Sequence, residues 1–229
     1  LKTAWPEIEA LINDIMFRRI LILLLFVFPG LCLSAQKTFE PTTHVGVHGG
    51  VDFSTMSFRP QLNEEFLPGK EFGIFFRHVS EPHIGIQFEI NVVDKGWKEV
   101  IDSVGTYTRR VNTINIPVMA AFIAGSRSLR FAFTLGPYID YRYKDSEEID
   151  IPDVKQYRSH YLIPFADKFE FGFAGGLAIE IYTKIGGFAL KASYSHALTN
   201  LYPLNKGTYY FSASRMMVIY GGVGYFVSF

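Results

Sequence analysis

Apolar and polar or small positions alternate through the last thirteen residues of the chain: Met217, Ile219, Gly221, Val223, Tyr225, Val227 and Phe229 fall on one face, Val218, Tyr220, Gly222, Gly224, Phe226 and Ser228 on the other. A period of two places successive side chains on opposite faces of a strand. The run exceeds an ordinary globular strand and matches the about 9 to 11 residues that a tilted strand needs to cross a bilayer. A final strand that ends on Phe229, with Tyr225 four positions earlier, carries the features of a barrel-insertion signal.

Seven earlier segments show the same alternation. The first sets Val45, Val47, Gly49, Val51 and Phe53 against His44, Gly46, His48, Gly50 and Asp52. A second runs over about 69–79, a third carries Ile84 to Val92 on its apolar face, and a fourth ends with Ile114, Ile116, Val118, Ala120 and Phe122. The fifth covers Leu129 to Arg142, the sixth Phe169 to Ile181, and the seventh Phe188 to Ser195. The connections between them also alternate in length. Long ones are expected at 54–68, 94–107, 143–167 and 199–214, short ones at 80–82, 124–128 and 183–187. Short periplasmic turns and long extracellular loops are the order found in outer-membrane barrels. Pro117 and Pro137 fall inside strands, where a missing N–H predicts a bulge or an unpaired strand end.

Alternation alone also fits a soluble, lipocalin-like barrel with its apolar face inward. The polar face discriminates: it is mostly Gly, Ala and Ser with a few charges of both signs, which suits a narrow lumen better than a water-facing surface. The expectation is an all-β, eight-stranded, antiparallel up-and-down transmembrane β-barrel over 44–229. The other end of the chain agrees. Met16, Arg18 and Arg19 precede an apolar run from Ile20 to Phe28, and a small residue, Ala35, stands at the expected cleavage point, the layout of a cleavable signal peptide over 16–35. Residues 1–15 read as an extension upstream of the natural start, and 36–43 as a short N-terminal segment. A lipoprotein reading would use Cys32, but Leu31 occupies a position that calls for a small residue. Cys32 is the sole cysteine and lies in the leader, so disulfide and thiolate chemistry are excluded from the exported protein. A net charge of zero gives no sign of nucleic acid as a partner. The expected location is the outer membrane of a Gram-negative bacterium.

VGVHGGVDFSTM at 45–56, HIGIQFEINVVDKGWKE at 83–99, INIPVMAAF at 114–122 and LGPYIDY at 135–141 resemble the PorT-like outer-membrane β-barrel family of Bacteroidota. The resemblance implies an outer-membrane barrel and, for the family's founding member, a role in the type IX secretion and gliding apparatus.

The polar face carries His44, His48, Asp52, Arg77, His83, Glu89, Arg130, Asp140, Arg142, Glu170, Glu180 and Lys191. Unpaired charge is costly in a narrow interior, so Arg77, Glu89, Arg130, Asp140, Arg142, Glu170, Glu180 and Lys191 are expected to form a lumen ion network, a salt-bridged plug. A narrow channel is the alternative. His44 and His48 are separated by four strand positions, about 13 Å at ~3.3 Å per residue, too far for one metal ion. No cofactor is expected. Ser195 and His196 are adjacent and so face opposite sides of a strand, which argues against a nucleophile–base pair and, with it, against a lipid-modifying enzyme. The 143–167 connection offers Tyr157, Arg158 and Tyr161 as candidate interaction residues. Expected partners are outer-membrane lipid and lipopolysaccharide, the barrel-assembly machinery, and an envelope or secretion-system protein, with the barrel itself a monomer.

Overall fold

The structure, a computed structural model, describes residues 39–59, 62–101, 104–152, 165, 167–202 and 213–229. The leader, the upstream extension, Tyr157, Arg158 and Tyr161 lie outside the described residues. Nine strands are described: β1 (Thr42–Arg59), β2 (Glu64–Glu65), β3 (Leu67–Glu81), β4 (Ile84–Ile101), β5 (Gly105–Gly125), β6 (Leu129–Asp150), β7 (Phe169–Thr183), β8 (Gly186–Ala197) and β9 (Ala213–Ser228). Neighbours pair antiparallel around a ring, and β9 pairs with β1 from His44↔Ser228 to Arg59↔Ala213, closing it. Eight strands therefore form the barrel, and β2 is a two-residue ribbon against the outer end of β4.

Side-chain direction follows the alternation. Outward positions are apolar and uncovered, Leu177 being 64% and Val223 65% exposed, whereas inward Lys95 is 3% and Asp52 0% exposed. A soluble barrel would show the reverse. Outer rings pack along the belt, with Phe122 stacked on Phe133 at 6.1 Å and Phe188 tilted against Tyr225 at 5.3 Å. The belt satisfies hydrocarbon, and the closed ladder leaves no unpaired strand edge within it. Both barrel termini and the three short turns lie at one end, where Thr43 and Phe229 exchange two backbone hydrogen bonds of 2.9 and 3.0 Å. That end is periplasmic by the short-turn rule. Gly125 and Gly186 flank two of these turns at φ of 138° and 136°, which side chains disfavour.

The long connections are shorter than the alternation suggests. Strand β1 continues to Arg59, β4 to Ile101 and β6 to Asp150, and β5 starts at Gly105. Above the belt, outward positions face water and turn polar, so apolar alternation stops while the ladder continues. At the prolines the outcome is neither a bulge nor a strand end. The β4–β5 ladder passes from Phe88↔Val118 to Asn91↔Asn115 and the β5–β6 ladder from Pro117↔Tyr138 to Ala120↔Leu135, each in constant register across a gap of two positions. Register shifts fall elsewhere, at Val79/Glu81 in β3 and at Asn112/Thr113 in β5. In the second, Asn112 faces Lys144 and Thr113 faces Arg142, so Tyr143 is the extra residue. One extra residue exchanges the two faces of a strand. Beyond Tyr143 the acidic residues Asp145 and Glu147 therefore pair with the inward-facing Val111 and Arg109.

The closing seam depends on glycine. A Cβ on Gly50 would meet the Gly221 carbonyl oxygen at 2.2 Å and the Gly222 Cα at 2.5 Å, backbone atoms that cannot move without opening the β1–β9 ladder. Gly221, on the outward face, has nothing within 4 Å of its Cβ position. Gly50→Val should destabilise the barrel by about 1–3 kcal/mol, the usual cost of overpacking, while Gly221→Val is tolerated. Urea titration of the heat-modifiable band on unboiled gels measures both; equal midpoints would show that the seam is not tight.

Candidate functional site: the filled lumen

The inward residues fill the barrel in three tiers. At the periplasmic end, Arg77 on β3 donates from Nε to Gln87 Oε1 at 2.5 Å and from NH1 to Glu180 Oε1 at 2.6 Å. The other Glu180 oxygen accepts from the Tyr182 hydroxyl at 3.1 Å. Arg130, opposite Glu180 in the β6–β7 register, lies over the Tyr182 ring at 4.5 Å. Phe75 and Phe226 pack beside this tier at 6.1 Å, and His44 Nδ1 lies 2.7 Å from Ser228 Oγ.

The middle tier is built on two hubs. Glu89 accepts from Lys191 Nζ at 2.7 Å, from Gln87 Nε2 at 2.5 Å and from Asn91 Nδ2 at 3.1 Å. His48 Nε2 lies 3.0 Å from Asn91 Oδ1 and its Nδ1 lies 3.2 Å from the Tyr220 hydroxyl. The second hub is Lys95, whose ammonium bonds Asp140 and, at 2.7 Å, Glu170 Oε1. Asn115 donates to Asp140 Oδ1 at 2.5 Å and the Tyr138 hydroxyl to Glu170 Oε1 at 3.2 Å. One cation between two carboxylates, each with a further donor, meets the requirement for keeping buried charge. A cavity of about 40 Å³ separates the hubs, with Glu71, Lys191 and Ser195 in its lining, a space for a few waters. Asp52 faces inward beneath Gly69, and neither of its oxygens has a hydrogen-bond partner among the described residues.

The extracellular tier is apolar. Met56, Phe58, Trp97, Tyr107, Tyr202 and Met216 form a buried cluster, with Trp97 edge-on to Phe58 at 5.9 Å and to Tyr202 at 6.2 Å. Arg109 holds this cluster to the β6 ribbon, donating 2.8 Å bonds to Asp145 Oδ2 and Glu147 Oε1 and a 3.1 Å bond to the Tyr202 hydroxyl. Its guanidinium lies 3.9 Å from the Phe165 ring centroid. Burial pushes the Tyr202 phenol well above its ordinary range, so it stays a neutral acceptor for Arg109.

Of the eight residues expected to pair in the lumen, Arg77, Glu89, Asp140, Glu170, Glu180 and Lys191 make ion pairs. Arg130 takes an aromatic face instead, and Arg142 donates to the Phe169 carbonyl at 3.0 Å rather than to a carboxylate. Lys95 escapes the sequence reading because 94–107 reads as a loop, and Arg109 because the fourth strand shows readable alternation only from Ile114 onward. Asp145 and Glu147, expected in a solvated loop, belong to β6 and clamp Arg109. Among the described residues no group of three or more His, Cys, Asp or Glu could hold a metal ion. Ser195 lines the central cavity, whereas His196 lies against Tyr194, its Nδ1 3.4 Å from that hydroxyl. Tyr225 bonds the Ile185 carbonyl at the periplasmic rim, and Phe229 extends from the same rim, exposed.

The family model for "Outer membrane protein beta-barrel domain" matches residues 34–202. Among solved structures, the chain is similar to the outer membrane protein OprG of Pseudomonas aeruginosa, at 13% identity and a TM-score of 0.46 over 82% of this chain and 95% of that one. It is also similar to Ail, the attachment invasion locus protein of Yersinia pestis, in complex with the heparin analogue sucrose octasulfate. That match has 12% identity and a TM-score of 0.43 over 83% of this chain and 100% of that one. A third similarity is to Neisserial surface protein A, at 11% identity and a TM-score of 0.41 over 80% and 96% of the two chains. No curated protein matches the chain.

Replacing Lys95 by Met leaves Asp140 and Glu170 facing each other without their shared cation. The expected loss is about 3–5 kcal/mol, the range for breaking a buried pair from one side. The triple variant Lys95→Met, Asp140→Leu, Glu170→Gln should recover most of it. Urea midpoints of the folded band test both, and a single variant as stable as the parent would show that the hub is hydrated and weak.

Proposed function

The chain belongs to the outer membrane protein beta-barrel domain family and is an outer-membrane β-barrel protein, and on that footing we propose that it is a closed barrel serving as a structural or interaction component of the cell envelope. The observation that carries this reading is the filling of the lumen by two different means, an ion network below and an aromatic cluster above. A solute would have to break both. Conduction therefore ranks second and catalysis third, since Ser195 and His196 lie on opposite sides of β8 and lack the mutual contact of a nucleophile and its base. In planar bilayers the purified barrel should show no steady conductance. Large, stable open steps in the unmodified protein would overturn the closed-barrel reading in favour of the channel.

With the lumen filled, specificity falls to the extracellular connections, where a rigid scaffold presents variable segments. We place the protein-partner contact on Tyr157, Arg158 and Tyr161, and the resemblance to PorT-like barrels favours a partner in protein secretion of the type IX kind. Asp145 and Glu147 hold Arg109 within the fold, so the segment to exchange is 153–164 and not the whole acidic run. A short Gly and Ser turn in its place should leave the heat-modifiable band intact and fail to restore protein export in a deletion strain. Full restoration by the shortened barrel would sink the assignment to these residues.

A further inference from the structure

The charges inside the barrel do not balance. Through the lower and middle tiers, among the described residues, six inward carboxylates, Asp52, Glu71, Glu89, Asp140, Glu170 and Glu180, stand against five inward cations, Arg77, Lys95, Arg130, Arg142 and Lys191. The extracellular tier has no cation to lend, since Arg109 is bonded to both Asp145 and Glu147. His44 lies against Ser228, and His48 stands between Asn91 and Tyr220, with Glu89 Oε2 3.5 Å from its Nε2. Asp52 and Glu71 are the two carboxylates of the set that no donor reaches. Asp52 is tucked beneath Gly69, whereas Glu71, 8% exposed, lines the central cavity of about 40 Å³. Three hydroxyls line the same cavity, those of Thr134, Ser193 and Ser195, and none has a side-chain partner among the described residues. Gly176 brings two of them together, because it sits between Thr134 and Ser193 in the ladder. A Cβ there would stand 3.1 Å from Thr134 Oγ1 and 3.2 Å from Ser193 Cβ.

We propose that the central cavity holds one monovalent metal cation of sodium size, bound by the Glu71 carboxylate and the hydroxyls of Thr134, Ser193 and Ser195. A buried carboxylate without a partner is costly, and a single positive charge beside Glu71 brings the two tiers to balance. The donor set is oxygen throughout, the ligand type of hard cations. Among the described residues no group of three or more His, Cys, Asp or Glu converges on a metal position, and a doubly charged ion would overshoot the deficit, so a divalent ion is disfavoured. Size limits the occupant as well: about 40 Å³ admits an ion with a water or two but not an organic cation. Lys95 and Lys191 also line the wall, each already bonded to the carboxylates of its own hub. With the aromatic tier above and the Arg77 tier below, the ion enters as the barrel closes during folding and stays as part of the plug, in keeping with a closed lumen.

The test refolds the full-length barrel from urea into detergent at fixed pH and ionic strength, in sodium chloride or in choline chloride. Unboiled gels read the folded fraction across a urea series. The parent should show a folded-to-unfolded ratio about tenfold higher in sodium once sodium stands tenfold above its dissociation constant, with the sodium dependence of a single site. E71Q should be equally stable in the two salts, and T134V/S193A should need severalfold more sodium for the same gain. E81Q, which removes an exposed carboxylate at the periplasmic end, should keep the parent's response. If E71Q does not assemble, T134V/S193A carries the comparison, since both replacements nearly keep the side chain's volume. An equal ratio in sodium and choline for the parent overturns the site and leaves a proton on Glu71, Asp52 or His48 as the source of the missing charge. An unchanged sodium response in E71Q, or in T134V/S193A where E71Q does not assemble, puts the ion elsewhere and equally overturns it.

Discussion

A strand in hydrocarbon has no water to satisfy its N–H and C=O groups, and the rest of this structure depends on that constraint. It is met by the long β1–β9 ladder, which turns an eight-strand sheet into a cylinder. The ladder in turn demands close backbone approach at Gly50, where a side chain would collide with β9. Once closed, the cylinder fixes the position of every side chain by parity. The outer set must suit lipid, and the inner set must fill a space with little room for water.

Inside, charge and apolar packing divide the work by depth. The hub at Glu89 occupies the stretch surrounded by lipid and the hub at Lys95 stands at its upper edge, where water is scarce and buried charge gains from a fixed partner. The aromatic cluster begins where the strands leave the belt, and there the lumen is sealed by burying rings around Trp97. Arg109 joins this seal to the β6 ribbon. The ribbon can offer it carboxylates because the extra residue at Tyr143 exchanges the faces of the strand. A local irregularity in the backbone is thus what lets an acidic stretch serve the interior.

The lipid-embedded part of each strand was legible in the sequence because the membrane imposes a simple rule on alternate positions. Ile84 to Val92 and Leu129 to Tyr141 read as strands for that reason, and their inward residues could be named in advance. Above the belt the rule lapses. Lys95 and Trp97 look like loop residues although the β4–β5 ladder runs on to Ile101↔Gly105. The bulge at Tyr143 left no local signal, so the inward turn of Asp145 and Glu147 could not be read from spacing. Partner choice was hardest to anticipate. That Arg142 would bond a carbonyl while Lys95 took both Asp140 and Glu170 depends on heights around the barrel, and these follow from register.

The unequal strand lengths have a consequence for reach. On β5 the outward apolar positions end at Ile114, yet the strand begins at Gly105, paired along the way with β6 up to Asp150. Nine further residues at ~3.3 Å each, tilted by about 40°, lift the tip roughly 20 Å above the lipid boundary. That height clears the head groups and enters the layer of surface sugars. The ribbon behaves as a stiff mast, so whatever meets its tip does so well above the lipid boundary, on the β5–β6 side of the barrel.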